Sequence, residues 1–199
     1  MSITAITVLT PAVEYPVSLS EAKSQIRVTH SAEDEHIQAL IAAATAWAQD
    51  YTGRVFIDTQ VQYKLDCFTD AIRLPGGVVS AVNDIDYTDA DGALQVLTGP
   101  TSSTPGTDYQ ETLQDDEQPI LYPARESSWP STQSGLKNAV AVDYQVGWSS
   151  SGEVPENIKH AIKFKVADLY TIRDSVDGSK SAAVASAENL LFPYIIQSC

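Results

Sequence analysis

The sequence predicts an α+β protein whose helices and strands occupy separate parts of the chain. Two amphipathic helical patterns lie within the first 54 residues, a third begins near residue 155, and the segment between them alternates with a period of two. Such segregated patterns favour an antiparallel sheet packed beside helices. With 199 residues, 43% of them hydrophobic, the chain can bury a sizeable core, and we place a single domain at residues 1–174.

The first helix is predicted at about residues 18–28. It follows an apolar, threonine-rich arm in which Pro11 and Pro16 favour extended backbone. Ser18 and Glu21 have the spacing of a capping box, in which each side chain accepts a hydrogen bond from the other residue's backbone N–H. The chain is therefore expected to enter this helix at Ser18.

The second helix is predicted at about residues 33–53 and is the clearest in the chain. Three acidic residues occupy its first turn, where the helix dipole favours negative charge. Gly53 is expected to end it in a left-handed conformation. One face carries larger apolar residues at helical spacing, and the other faces are rich in alanine, which lets neighbours approach closely: Ala39, Ala42, Ala43 and Ala46.

A β-rich region is predicted at residues 55–148. Apolar and polar residues alternate there, and Asp91-Gly92 between two such runs is a strong hairpin signal. Residues 98–135 are rich in Gly, Pro, Ser and Thr and predict a long loop with short strands near Tyr109 and residues 120–122.

The third helix is predicted at about residues 155–174, directly after a strand at 139–146. Pro155 is tolerated in the first turn of a helix, where its missing N–H is not needed. The apolar stripe of this helix requires a partner, and the helix at 33–53 is the expected one. Residues 175–199 are predicted to form a flexible tail.

Charge and composition exclude several classes of protein. Twenty-six acidic and twelve basic residues give a net charge of -14, which argues against a nucleic-acid-binding surface. Two cysteines are too few for a disulfide framework, and Cys67 is expected to be a buried thiol within a strand. No apolar run approaches the roughly 18–20 residues of a membrane helix, and no secretory signal is visible. These features indicate a soluble protein of a reducing cytoplasm.

No catalytic, metal or cofactor site is predicted. An EF-hand loop aligned on Asp91-Gly92 would place Tyr87 and Thr98 where carboxylate ligands are needed, so a hairpin turn with solvated acids is favoured. The three histidines lie far apart in sequence, and His36 and His160 are expected on helix surfaces. The acidic series from Asp84 to Asp91 nevertheless leaves a small metal-binding enzyme as one hypothesis.

Three features could form interfaces with other molecules. Lys159, Lys163 and Lys165 are the one basic concentration in the acidic chain, and either form a solvated helix face with Glu156 or contact an acidic surface. Trp129 either packs beneath the loops or anchors an interface. An apolar run in the tail either packs on the core or docks onto a partner. Its members are Leu190, Leu191, Phe192, Tyr194, Ile195 and Ile196.

Short motifs in a fixed order give the chain a resemblance to a known family. They cover residues 18–174: Leu19-Ser20-Glu21-Ala22-Lys23, Ile26-Arg27-Val28, Asp34-Glu35-His36-Ile37, Leu40-Ile41-Ala42-Ala43-Ala44, Tyr51-Thr52-Gly53-Arg54, Leu65-Asp66-Cys67-Phe68, Ile72-Arg73-Leu74-Pro75, Val82–Tyr87, Trp129-Pro130, Tyr144-Gln145-Val146-Gly147 and Val154–Ile162. With these motifs the chain resembles the head-tail connector proteins of tailed bacteriophages, also called adaptor or head-completion proteins. It departs from them in its long 98–135 segment and in its tail.

The resemblance implies a small helical bundle with an inserted antiparallel β-region, assembled as a homo-oligomeric ring of about twelve subunits. Such a ring lies in the virion at the head-tail junction, beneath the portal protein and above a head-tail stopper or tail protein, after synthesis in the host bacterial cytoplasm. It implies a structural protein without enzymatic activity. DNA would pass through the channel without specific binding, since an acidic wall repels phosphates.

The resemblance also assigns roles to the interface candidates. The third helix and the tail would engage the portal, through the lysines at 159, 163 and 165 and the apolar run at 190–196. From the residue pattern itself, Ala39, Ala43, Ala46 and Trp129 are expected to pack between neighbouring subunits. A different hypothesis is an acidic regulatory module that binds a basic partner through residues 108–117, which contain Glu111 and Asp115-Asp116-Glu117.

Overall fold

The computed structural model describes residues 6–100, 108–113, 119–171 and 182–196. Its helices are α1 (Leu19–Ile26), α2 (Asp34–Thr52), α3 (Glu156–Thr171) and α4 (Ala182–Leu191). Its strands are β1 (Ile6–Thr10), β2 (Thr59–Leu65), β3 (Ile72–Arg73), β4 (Val79–Thr88), β5 (Leu94–Val96), β6 (Tyr109–Thr112), β7 (Ile120–Pro123) and β8 (Val140–Val146). The predicted α+β fold is confirmed, with most of the strands between α2 and α3.

The helices share one hydrophobic cluster, and α3 lies against α1, α2 and α4 within it. The apolar stripe of α2 and that of α3 are both buried there: Ile37, Ile41, Ala44 and Ala48 from α2, and Ile158, Ala161, Ile162 and Val166 from α3. The α2 helix is therefore the partner of α3 that the sequence predicts.

The ends of the two N-terminal helices follow from local chemistry. Ser18 and Glu21 form the predicted capping box, in which the Ser18 N–H donates to Glu21 Oε2 at 2.8 Å. The Glu21 N–H donates to Ser18 Oγ at 3.3 Å. Gly53 ends α2 at φ +70°, and its N–H donates to the Gln49 carbonyl oxygen. This left-handed φ explains why a glycine follows the helix.

The β half contains two antiparallel sheets with a second hydrophobic cluster. The larger sheet has the order β1-β2-β8-β4-β5, and the smaller has the order β3-β7-β6. On β8, alternate residues are buried over the whole strand, so one face of the larger sheet packs on the cluster and the other is more polar. The short strands expected near Tyr109 and residues 120–122 are β6 and β7.

Two details of the β half test individual predictions. The β4–β5 hairpin pairs Thr88 with Leu94, and Gly92 in its turn has φ +85°, as the Asp91-Gly92 signal predicts. Cys67, in contrast, is exposed, and its prediction as a buried thiol is wrong. The reason is that β2 ends at Leu65, where the chain turns out of the sheet and the alternation of faces stops.

The passage from β8 to α3 connects the two halves. The Trp148 N–H donates to the Phe56 carbonyl oxygen at 3.0 Å, and the Asp58 N–H donates to the Trp148 carbonyl oxygen at 2.8 Å. Between β8 and Trp148 lies Gly147 at φ +111°. This backbone pairing fixes the chain before it enters α3, so the position of the helix relative to the sheet is set here.

The C-terminal segment differs from the expectation of a flexible tail at 175–199. Within it, α4 packs on the helical cluster, with Ala187 and Leu191 fully buried. Beyond α4, the Ile196 N–H donates to the Thr52 carbonyl oxygen at 2.9 Å. Residues 182–196 therefore belong to the folded domain, whereas positions 172–181 and 197–199 lie outside the described residues.

Arg54 is a buried residue that holds this C-terminal segment in place. Its side chain is 4% exposed, and Nε donates to the Tyr194 carbonyl oxygen at 2.7 Å. An arginine charge is stable in such surroundings only when its N–H groups have partners. Arg54 thus connects the end of α2 with the end of the described chain.

Candidate functional site

The three lysines of α3 do not form an exposed basic patch. Lys159 is buried, and its Nζ donates to Glu156 Oε1 at 3.0 Å. The Nζ of Lys165 lies 3.5 Å from Asp168 Oδ2 and 5.4 Å from the centre of the Trp47 ring. Their positive charges are thus largely used within the subunit, in ion pairs and a cation–π contact.

Lys163 is half-buried and lies near the start of α1. Hydrogen bonds from Ser18 lower the pKa of Glu21, and the charges of Lys163 and Lys159 act in the same direction. The basic residues therefore contribute to packing between α1 and α3. The assignment of these lysines to the surface of a separate acidic partner stays a prediction, with Lys159 and Lys165 already paired within the subunit.

The apolar run of the C-terminal segment divides into buried and exposed residues. Leu191 is fully buried, whereas the Phe192 side chain is 70% exposed in the single 3-10 turn that follows α4. The remaining members of the run are half-buried: Leu190, Tyr194, Ile195 and Ile196. We call these four residues and Phe192 the C-terminal apolar patch. Phe192 is the one exposed residue of the predicted portal surface, and the others are half-buried or buried.

The alanines assigned to subunit packing lie on the solvent side of α2. Ala39, Ala43 and Ala46 are all exposed. Beside Ala39 and Ala42, a groove of about 630 Å³ separates α2 from the segment that contains Tyr15 and Leu19. These alanines are therefore available to a neighbouring molecule.

Trp129 is half-buried and contributes to the interior of the β half. Its ring stacks on Phe68, with centroids 4.9 Å apart and an angle of 6° between the planes. Phe68 also makes a T-shaped contact with Tyr87. This packing beneath the loops is the alternative that the sequence left open beside an interface anchor.

The acidic residues near the β4–β5 hairpin are arranged as a turn. Asp89 Oδ1 accepts hydrogen bonds from the N–H groups of Asp91 and Ala93, at 3.0 and 2.9 Å. The hydrogen bond from Gln95 and that from the Ala93 backbone lower the pKa of Asp89. Among the described residues no cluster of three or more His, Cys, Asp or Glu side chains could hold a metal ion. The geometry thus favours the hairpin interpretation over a calcium loop.

The more polar face of the larger sheet carries three neighbouring carboxylates that are distant in sequence. Asp84 on β4 lies directly opposite Asp143 on β8, and Asp86 lies two positions further along β4. Gln62 Nε2 donates to Asp143 Oδ1 at 2.8 Å. Partial burial raises the pKa of Asp86, and the charges of Asp84 and Asp143 raise it further. We call these three residues the acidic sheet face.

Relief of the repulsion on the acidic sheet face should stabilise the protein. The pKa of Asp86 is higher in the folded state than in the unfolded state, so the folded state binds this proton more tightly. Protonation of Asp86 therefore stabilises the fold at low pH, and this contribution is lost as the pH rises through the folded-state pKa. Asp86→Asn should therefore increase the free energy of unfolding at pH 7 by about 0.2–1 kcal/mol, with little gain at pH 3. Urea denaturation at both pH values measures the difference.

Asp70→Asn is the control for this prediction, because Asp70 is exposed and lies outside the acidic sheet face. An equal gain at pH 3 and pH 7 for Asp86→Asn would show that charge repulsion is not its cause.

The sequence did not reveal the acidic sheet face, because only the pairing of β4 with β8 brings Asp143 beside Asp84 and Asp86.

The segment proposed to bind a basic partner is residues 108–117, of which positions 114–117 lie outside the described residues. Burial raises the pKa of Glu111 within it. No helix among the described residues has the length and apolar character required to span a bilayer.

Comparisons with known proteins identify similar structures. Residues 16–94 match the model of the phage gp6-like head-tail connector protein family. No curated protein matches the sequence. Three solved structures of gene transfer agent particles contain chains of similar fold. One is the neck of an empty particle computed with C6 symmetry, with a TM-score of 0.77 and 18% identity over 98% of this chain and 96% of that chain.

The other two structures contain chains that match 98% of this chain over 96% of their own length, as in the first structure. In the virion of the native particle the TM-score is 0.76 at 18% identity. In the neck of the native particle computed with C12 symmetry it is 0.75 at 17% identity. These matches show the fold for nearly the whole chain. The resemblance to the head-tail connector family predicted from the sequence motifs is confirmed by the family model over residues 16–94.

Proposed function

We propose that this chain is a structural subunit of a phage-type neck, which joins the head to the tail and extends the DNA channel below the portal. The observation that carries the proposal is the match of residues 16–94 to the head-tail connector family. That range contains α1 and α2, whose capping box and buried stripe match the sequence motifs on which the resemblance rests. The role is one of assembly and not of catalysis.

The subunit works as part of a ring at the head-tail junction of the virion. Support comes from the neck reconstructions of similar fold, which were computed with six-fold and twelve-fold symmetry. Contacts that join two different surfaces of identical subunits close into a ring when the rotation between neighbours divides a full turn. A ring of about twelve copies is consistent with both reconstructions.

The portal protein is the proposed partner of the C-terminal apolar patch. Phe192 is a large aromatic side chain left mostly exposed at the end of a well-packed helix, and aromatic residues of this kind often dominate binding energy. A stopper or tail protein would bind the opposite end of the ring. The net charge of -14 would keep DNA from adhering to the channel wall, so that DNA passes without specific binding.

Removal of the Phe192 ring should weaken binding to the portal without affecting the fold. Phe192→Ala is expected to raise the Kd for portal rings of the same phage about tenfold or more. The binding can be measured by titration with labelled subunit and followed by electron microscopy of the complexes. Leu136→Ala is the matched control, because Leu136 is also a large exposed apolar residue but lies in the loop before β8.

Wild-type chain that does not bind portal rings and is absent from particle necks would contradict the proposed function. Wild-type binding with no change for Phe192→Ala would contradict only the assignment of the C-terminal apolar patch.

A further inference from the structure

Both edges of the larger sheet are open within the described part of the chain. The order β1-β2-β8-β4-β5 leaves β1 and β5 with a strand on one side alone. Each edge strand also exposes two large apolar side chains: Val8 and Leu9 on β1, and Leu94 and Val96 on β5. Unpaired N–H and C=O groups beside exposed apolar side chains form a template for pairing with another strand.

Neither edge strand carries charge or proline, two of the features that normally prevent such pairing. Folded proteins protect sheet edges with charged residues, proline or bulges. The sequences ITVLT of β1 and LQV of β5 contain no charge and no proline, in a chain in which 19% of residues are charged. A bulge or irregularity interrupts the pairing of β1 with β2 between Val8 and Thr10, and β5 has only three residues. The regular part of each edge is therefore short: Ile6–Val8 on β1 and Leu94–Val96 on β5.

The directions of the strands determine which copies can pair. Each neighbouring pair in the sheet is antiparallel, and four such steps lead from β1 to β5. The two edge strands therefore run in the same direction at opposite ends of the sheet. A second copy related by a rotation about an axis along the strands would place its β1 parallel to the first copy's β5. This contact joins two different surfaces, as closure of a ring requires.

We infer that β1 of one subunit pairs in parallel with β5 of its neighbour, so that the larger sheet continues from subunit to subunit around the ring. The occupant of each open edge is a second copy of this chain. The inference rests on the proposed ring and specifies one contact within it. The apolar side chains of Val8, Leu9, Leu94 and Val96 would be covered in the assembly, which accounts for their exposure in the single subunit.

Disulfide crosslinking tests the pairing directly. In a Cys67→Ser, Cys199→Ser background, Thr7→Cys is combined in turn with Leu94→Cys, Gln95→Cys and Val96→Cys, which samples three registers. Neighbouring strands bring Cα atoms within the 4.4–6.8 Å that a disulfide spans. Oxidised necks should give a ladder of linked subunits for at least one combination. Thr7→Cys with Tyr122→Cys, on β7 of the smaller sheet, should give none.

Charge substitution is the second test and separates this contact from the proposed function. Val8→Lys and Val96→Lys introduce charges at exposed positions, so the melting temperature should change little while ring formation is lost. Tyr122→Lys and Leu136→Lys are matched controls outside both edge strands and should leave the rings intact. Rings that form normally with both lysines, or necks without any crosslinked ladder, would overturn the edge pairing and leave the neck function standing. A wild-type chain absent from necks would overturn both.

Discussion

Leu191→Ala is expected to lower the free energy of unfolding by about 2–5 kcal/mol. Leu191 is fully buried at the end of α4 and belongs to the same hydrophobic cluster as Ile158 and Ile162. Truncation removes apolar contacts and leaves a cavity that the surrounding helices fill only partly. Because domains of this kind are stable by about 5–15 kcal/mol, the loss is a large fraction of the total. Chemical denaturation followed by circular dichroism measures it.

The adjacent residue provides the control for Leu191→Ala. Phe192 is larger than Leu191 but 70% exposed, so Phe192→Ala should change the free energy of unfolding by about 0.5 kcal/mol or less. If the C-terminal segment were a free docking arm, both substitutions would leave stability unchanged. A small effect of Leu191→Ala would therefore contradict the assignment of α4 to the core.

The helices with strong local signals could be predicted from the sequence, and α4 could not. The capping box at Ser18 and the glycine after α2 act within a few residues, so they are visible in the sequence. The α4 helix is short, and the Gly- and Ser-containing segment before it suggests a linker. A usable signal was nevertheless present. Val184, Ala187 and Leu191 are spaced three and four residues apart, and all three are buried on one face.

The candidate interfaces were harder to predict, because burial depends on contacts between distant segments. Lys159 and Lys165 lie on one helix with Lys163, and the sequence alone suggests a basic surface. Only the packing of α3 among the other three helices shows that Lys159 is buried and that Lys165 lies over Trp47. In the same way, Asp143 joins Asp84 only through strand pairing. Sequence patterns place residues on a face but do not show what covers that face.

Gly147→Ala should be among the most destabilising single substitutions in this chain, because it affects the connection between β8 and α3. Gly147 has φ +111°, a region in which residues with a side chain are strained by about 1–3 kcal/mol. A Cβ added there would lie 2.6 Å from both the carbonyl carbon and the carbonyl oxygen of Ile57. These are backbone atoms, so they cannot rotate away as the end of a side chain could. Strain and overpacking together should cost roughly 2–5 kcal/mol.

Gly152→Ala is the matched control, since Gly152 lies five residues further along the same connection. A Cβ added there meets only Ser150 Oγ, at 3.6 Å, and the residue is exposed. Its substitution should change the free energy of unfolding by about 0.5 kcal/mol or less. Thermal and urea denaturation of both variants measure the comparison. Equal effects would show that the Trp148–Phe56 and Asp58–Trp148 backbone pairing does not restrain the connection. A large effect at Gly147 alone would indicate that this pairing holds α3 in place relative to the sheet.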